Sequence, residues 1–221
     1  MARKQATEDI TYIRKWIKKG LSKDGKALDF SGRRITEKEA IDFAEMIELE
    51  DLEVLFMHDC GLKDVCLEEL ADSPFFAPLQ ELWLFNNKIR NDGALFLAES
   101  TKLNRLRYLI LYTNMIEGRG AEALAESDTL SNLRVLDLSF NRVGDRGAIA
   151  LAKSPHMKKL EVLRLDANRI GYKGMKALAE SKNLNNLKEL HLMYNLIDPT
   201  GLDLMKCSER LNSLQLFKYD E

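Results

Sequence analysis

Histidine, cysteine and proline are scarce in this chain of 221 residues, which holds three, three and four of them. Cys60, Cys66 and Cys207 are too few and too irregularly spaced for a disulfide framework or a paired CxxC metal site, so a reducing compartment is the simpler reading. The string His58-Asp59-Cys60, with Cys66 further on, is the nearest thing to a metal motif. Both cysteines fall at core positions of the pattern described below. No serine or cysteine sits in a nucleophile elbow. Glycine-rich stretches such as VGDRGA lack the Gly-Lys-Ser/Thr of a phosphate loop, so no cofactor is expected and the chain reads as non-enzymatic. Charge of one sign is also missing: 33 Lys and Arg stand against 35 Asp and Glu, a net charge of -2, without the basic excess of a nucleic-acid binder. No stretch approaches the 18 or more apolar residues of a membrane span. The first twenty residues carry charges at Arg14, Lys15, Lys18 and Lys19 that interrupt any secretory apolar run, which reads as cytoplasmic.

What is present is a period. Leucines recur at 52, 79, 106, 133, 160, 187 and 214, each 27 after the last, with Gly25 in the same phase one period earlier. The chain divides into residues 1–24, seven units over 25–213, and a partial unit over 214–221. A fixed period throughout implies one elongated body in which each unit buries its apolar face against its neighbours. Within LRVLDLSFNRVGDRGAIALAKSPHMKK the first half alternates like a strand, with Leu133, Leu136 and Leu138 inward and Val143 following from the turn. The second half has helical spacing, with Ala148, Leu151 and Ala152 on the inner face.

Three ladders accompany the leucines. Asn87, Asn114, Asn141, Asn168 and Asn195 recur nine places into each unit, where a buried amide can satisfy backbone groups of the turns above and below. Gly93, Gly120, Gly147, Gly174 and Gly201 recur where the helix begins, and beside them the small Ala94, Ala121 and Ala148 let helices pack closely. Ser100, Ser127, Ser154, Ser181 and Ser208 recur at the helix end, positioned to bond a terminal backbone group. Residues repeated in every unit support the unit, so all three ladders read as structural.

The patterns LxxLxLxxNxI and GAxxLAxS, as in LRYLILYTNMIEGRGAEALAES, resemble leucine-rich repeats of the ribonuclease-inhibitor-like class and GALA-type repeats. The resemblance covers Gly25 to the carboxyl terminus. It implies an α/β solenoid, a horseshoe arc with a parallel sheet on the concave side and helices on the convex side, and binding of proteins as the commonest use. The first units depart from the pattern: Arg33 and Cys60 stand at the asparagine position, Glu39 and Cys66 at the helix glycine. At the amino end, a helix capped by Thr7, with Ile10, Ile13, Trp16 and Ile17 on one face and Gly20 at its end, is expected to close the first layer of the core rather than lie on a membrane. The carboxyl end is expected to be one more strand, its edge carrying Lys218, Asp220 and Glu221.

With the scaffold subtracted, the variable strand positions carry the information about function. They read Val54, Phe56, His58, then Trp83, Phe85, then Tyr108, Ile110, Tyr112, then Phe140. Strands about 4.8 Å apart would gather these into one patch, and aromatic rings bury roughly 150–250 Å² each. Further along, the same positions become Asp137, Arg164, Asp166, Glu189, His191 and Lys218, with Met193 and Tyr194. An aromatic anchor flanked by mixed charge suits a protein or peptide partner of a monomeric module. The plainer alternative is that stacked rings only stiffen the sheet. Two other readings remain open. One is a regulator of an enzyme such as a small GTPase, a role the resemblance also implies, acting through loop residues such as Lys88, Arg142 or Arg169. The other is an element that self-assembles through its last strand.

Overall fold

The computed structural model describes residues 12–45 and 49–220. Thr7 and Ile10 of the expected amino-terminal helix lie outside them. Helix α1 covers 12–20 within the described residues. Then come β1 (Ala27–Asp29), α2 (Glu37–Ala44), β2 (Val54–Phe56), α3 (Asp64–Ala71), β3 (Glu81–Trp83), α4 (Asn91–Glu99), β4 (Tyr108–Ile110), α5 (Gly118–Glu126), β5 (Val135–Asp137), α6 (Gly144–Lys153), β6 (Val162–Arg164), α7 (Tyr172–Ala179), β7 (Glu189–His191), α8 (Pro199–Lys206) and β8 (Leu216–Lys218).

All eight strands form one parallel sheet in chain order. The register never slips: Ala27 pairs Val54, Val54 pairs Glu81, Glu81 pairs Tyr108, and so on in steps of 27 residues. Each unit returns the chain through a helix to the start of the next strand, as a parallel pair requires. Strands stack at about 4.8 Å, whereas helices cannot approach closer than about 8–10 Å, so the stack must curve with the sheet inside. This is the solenoid that the resemblance implies.

The central residue of each strand, from Leu28 through Leu55, Leu82, Leu109, Leu136 and Leu163 to Leu190, is fully buried between sheet and helices. The glycines decide how close the helices come. A Cβ on Gly147 would sit 2.4 Å from Val143 Cγ1 and 2.7 Å from Ala121 Cβ, so only hydrogen fits there. Along the far edge of the helices, each serine hydroxyl donates to the last turn of the preceding helix: Ser127 to the Ala98 carbonyl at 2.6 Å, Ser181 to that of Ala152 at 2.6 Å.

The asparagine ladder joins units in one direction. Asn114 accepts from the Ile89 amide at 3.1 Å and donates to the Leu84 and Leu111 carbonyls, both at 3.0 Å. It thus bridges its own turn and the preceding one, rather than the turns on both sides. Where asparagine is missing, Cys60 fills its place: the thiol donates to the carbonyls of Phe30 and His58, both at 3.3 Å. Arg33, at the same position one unit earlier, lays its guanidinium 4.0 Å from the centre of the Trp16 ring on α1, whose Ile13 and Ile17 are buried in the core.

A further ladder has no counterpart in the expectations. The amino ends of α4, α5 and α7 are capped by the neighbouring helix: Asp64 Oδ1 accepts from the Arg90 and Gly93 amides at 2.7 and 3.0 Å, Asn91 Oδ1 from Glu117 and Gly120 at 2.9 and 3.0 Å, Asp145 Oδ1 from Gly171 and Gly174 at 2.8 and 2.9 Å. The usual cap positions of these helices, Arg90, Glu117 and Gly171, supply no side-chain cap. Each first-turn oxygen therefore satisfies amides left open one layer away.

A candidate concave binding face

Alternate residues of each strand face the concave side, and three-residue strands extend this pattern for two more positions before the chain turns. The register sets Phe56 beside Trp83 and Trp83 beside Ile110. The Phe56 and Trp83 rings meet with centroids 5.6 Å apart, and Trp83 Nε1 donates to Glu81 at 3.1 Å. One row further, His58, Phe85 and Tyr112 form a continuous stack: His58 to Phe85 at 4.0 Å and Phe85 to Tyr112 at 4.4 Å, both pairs within 10° of parallel. Val54, Phe56, His58, Trp83, Phe85, Tyr108 and Tyr112 are all partly exposed. Burial, with the Asp137 and Asp59 carboxylates in support, raises the Tyr112 phenol above its ordinary range, so it stays a hydrogen-bond donor at neutral pH.

Two of the sequence-selected residues sit differently from the rest of the aromatic set. Ile110 lies in the patch but is only 3% exposed, a floor between Trp83 and Asp137 rather than a contact surface. Phe140 is 53% exposed and has φ 55°. Asp59, Asn86, Thr113, Ala167 and Tyr194 share that left-handed conformation at the same place in their units. The conformation turns the chain off the sheet, so residues there leave the alternation and stand on the rim. Bulky residues pay about 1–2 kcal/mol in it, and Phe140, seven residues after Leu133, is also out of step with the even offsets of the face positions 135, 137 and 139.

The charged end of the arc is knit loosely together. Arg164 lies 3.8 Å from Asp137 and 3.9 Å from Glu189, and His191 lies 3.8 Å from Asp166 and 3.6 Å from Glu189. Asp137 and His191 are buried on this face, at 6% and 7% exposure, with Arg164 and Asp166 between them partly open. Burial lowers the His191 pKa, against the pull of Asp166, and burial raises that of Asp166 although the Met193 amide donates to it at 2.7 Å. His191 Nε2 is buried without a hydrogen-bond partner.

Residues 129–152, 156–179 and 183–205 match a family model described as Leucine Rich repeat. The chain contains leucine-rich repeats. Its units outside the matched segments repeat the same register and the same asparagine bonds, so the repeats extend beyond those three. Among solved structures, the leucine-rich-repeat chain is similar to an internalin from Listeria monocytogenes, with 18% sequence identity, 88% of this chain and 67% of that one covered, and a TM-score of 0.49. No curated protein sequence matches it. Among the described residues of this leucine-rich-repeat protein, no helix is long and apolar enough to cross a membrane, and no group of three or more His, Cys, Asp and Glu is placed to hold a metal ion. Lys88, Arg142 and Arg169, the loop cations considered for enzyme regulation, are all exposed on the turns after the sheet.

Proposed function

We propose that this leucine-rich-repeat protein is a non-enzymatic binding module that grips a protein or peptide partner on the aromatic half of its concave face. The observation that carries the reading is the stack of His58, Phe85 and Tyr112 beside the Phe56–Trp83 pair. These rings come from three successive strands, are partly open to solvent, and are held in place by each other before any partner arrives. Rigid aromatic side chains lose little freedom on binding and supply large contact area, which is why Trp and Tyr dominate interface energetics. Charged groups of the second half, Arg164, Asp166 and Glu189, supply orientation.

Affinity capture with the wild-type chain, Trp83→Ala and the convex-face variant Leu95→Asp tests it. Leu95 is an exposed residue of α4, on the helical side opposite the sheet. A protein retained by wild type and Leu95→Asp but lost by Trp83→Ala is the expected result. Equal retention by all three would remove the aromatic face from the account.

A further inference from the structure

The strand-start edge of the sheet carries one residue per unit at equivalent positions: Lys26, Glu53, Gln80, Arg107, Arg134, Glu161 and Lys188. Parallel pairing puts each about 4.8 Å along the sheet from the next. Most rungs are complementary. Lys26 reaches Glu53 at 2.5 Å, Gln80 donates to Glu53 at 3.1 Å, and Glu161 is held between Arg134 at 2.8 Å and Lys188 at 2.6 Å. Arg107 beside Arg134 is the exception, two cations on adjacent rungs, and like charges directly opposite destabilise a sheet.

Arg105, from the turn just before β4, and Lys159, from the turn before β6, add two more cations at the same place. These four side chains, with Asn104 and Asn132, line a cleft of about 450 Å³. Its floor is held by hydrogen bonds: Lys159 donates to Asn132 Oδ1 at 2.6 Å and Asn132 to the Asn104 carbonyl at 2.7 Å. Among the described residues, Arg105 and Arg107 have no carboxylate partner. In a chain whose net charge is -2, four converging cations are a local departure.

We propose that this cleft binds a compact ligand bearing clustered phosphoryl or sulfate groups. Arginine guanidinium groups match tetrahedral oxyanions bidentately, and the asparagine amides offer neutral donors beside them. The acids Glu53 and Glu161 stand on both sides, four strand spacings apart, and of the rungs between them only the adjacent Arg107 and Arg134 are cationic. That span fits a small polyanion and not the continuous row of phosphates of a nucleic acid.

Titration calorimetry of the full chain with tripolyphosphate, and separately with a trisulfated disaccharide, tests the site and tells phosphate from sulfate. Binding of either at one per chain is expected, weakened at least tenfold in Arg105→Gln/Arg107→Gln. Lys173→Gln/Lys182→Gln removes the same charge from the helical side and should change affinity less than twofold. The arginine variant should melt no lower than wild type, because these side chains support no fold contact and repel their neighbours. Three results would each overturn the proposal: no binding of either anion, equal loss in both double variants, or tighter binding of duplex DNA that survives loss of the arginines.

Discussion

The rings of Phe85 and Tyr112 lie 4.4 Å apart and within 10° of parallel across adjacent strands. Their separation is close to the strand spacing of about 4.8 Å, so the sheet itself sets the stack. Two consequences follow. The rings stabilise the concave face through cross-strand packing, roughly 0.2–1 kcal/mol per pair. They also stand ready as a flat apolar surface with a phenol donor at its end.

Asn114→Ala should lower folding stability by about 1–3 kcal/mol. The change strands the Ile89 amide, at about 1–3 kcal/mol for a buried group left unpaired, while the Leu84 and Leu111 carbonyls each lose one of two donors and keep Asn87 at 2.8 Å and Asn141 at 3.0 Å. Denaturant unfolding measures it, and a loss below about 0.5 kcal/mol would show that water replaces the amide.

Gly147→Ala should destabilise although alanine is the better helix former by about 1 kcal/mol. The added methyl meets Ala121 Cβ, which has no rotamer to escape into, and overpacking of this kind costs about 1–3 kcal/mol. A higher melting temperature for the variant would show that α5 and α6 separate freely.

The leucine period made the solenoid legible, because the same spacing that buries one unit buries the next and leaves no other register. The strand-to-strand pairing, the helix glycines and the serine bonds all follow from it. The caps from Asp64, Asn91 and Asp145 were not legible, since each acts 26 to 29 residues away on a helix other than its own. At the candidate face, alternation names the residues on the sheet surface but not their depth. Ile110, Asp137 and His191 share that surface and are buried by their neighbours. Phe140 escapes the face because the turn takes a left-handed residue there, one position past the last even step from Leu133.

Burial pushes the Cys60 thiol up to about 11 and raises that of Cys66, while Cys207 is exposed. Thiolate is the reactive form. Brief iodoacetamide treatment of the native chain at neutral pH should therefore add one label, at Cys207, and three labels after unfolding, read by mass spectrometry. Rapid native labelling of Cys60 would mean that the first units open.

His191 titrates lower in the folded chain than its ordinary 6.5, because burial disfavours its charged form. The unfolded chain then binds the proton first, so this side chain removes stability as pH falls through the unfolded value toward the lower folded one. His191→Asn should flatten the decline in unfolding free energy between about pH 7.5 and 5.5. Asp166, shifted upward, works in the opposite sense but in more acid solution. Parallel pH dependence in the two proteins would contradict the assignment.

Trp83 carries the central claim, and its truncation separates binding from folding. Trp83→Ala removes an exposed ring contact with Phe56 and one hydrogen bond to Glu81, so unfolding free energy should fall by no more than about 2 kcal/mol. Affinity for the captured partner, titrated with the same sample, should fall by about 2 kcal/mol or more, close to thirtyfold. A stability loss of roughly 3–5 kcal/mol, the cost of emptying a core site, with affinity unchanged in the fraction still folded, would place Trp83 in the scaffold and the partner elsewhere.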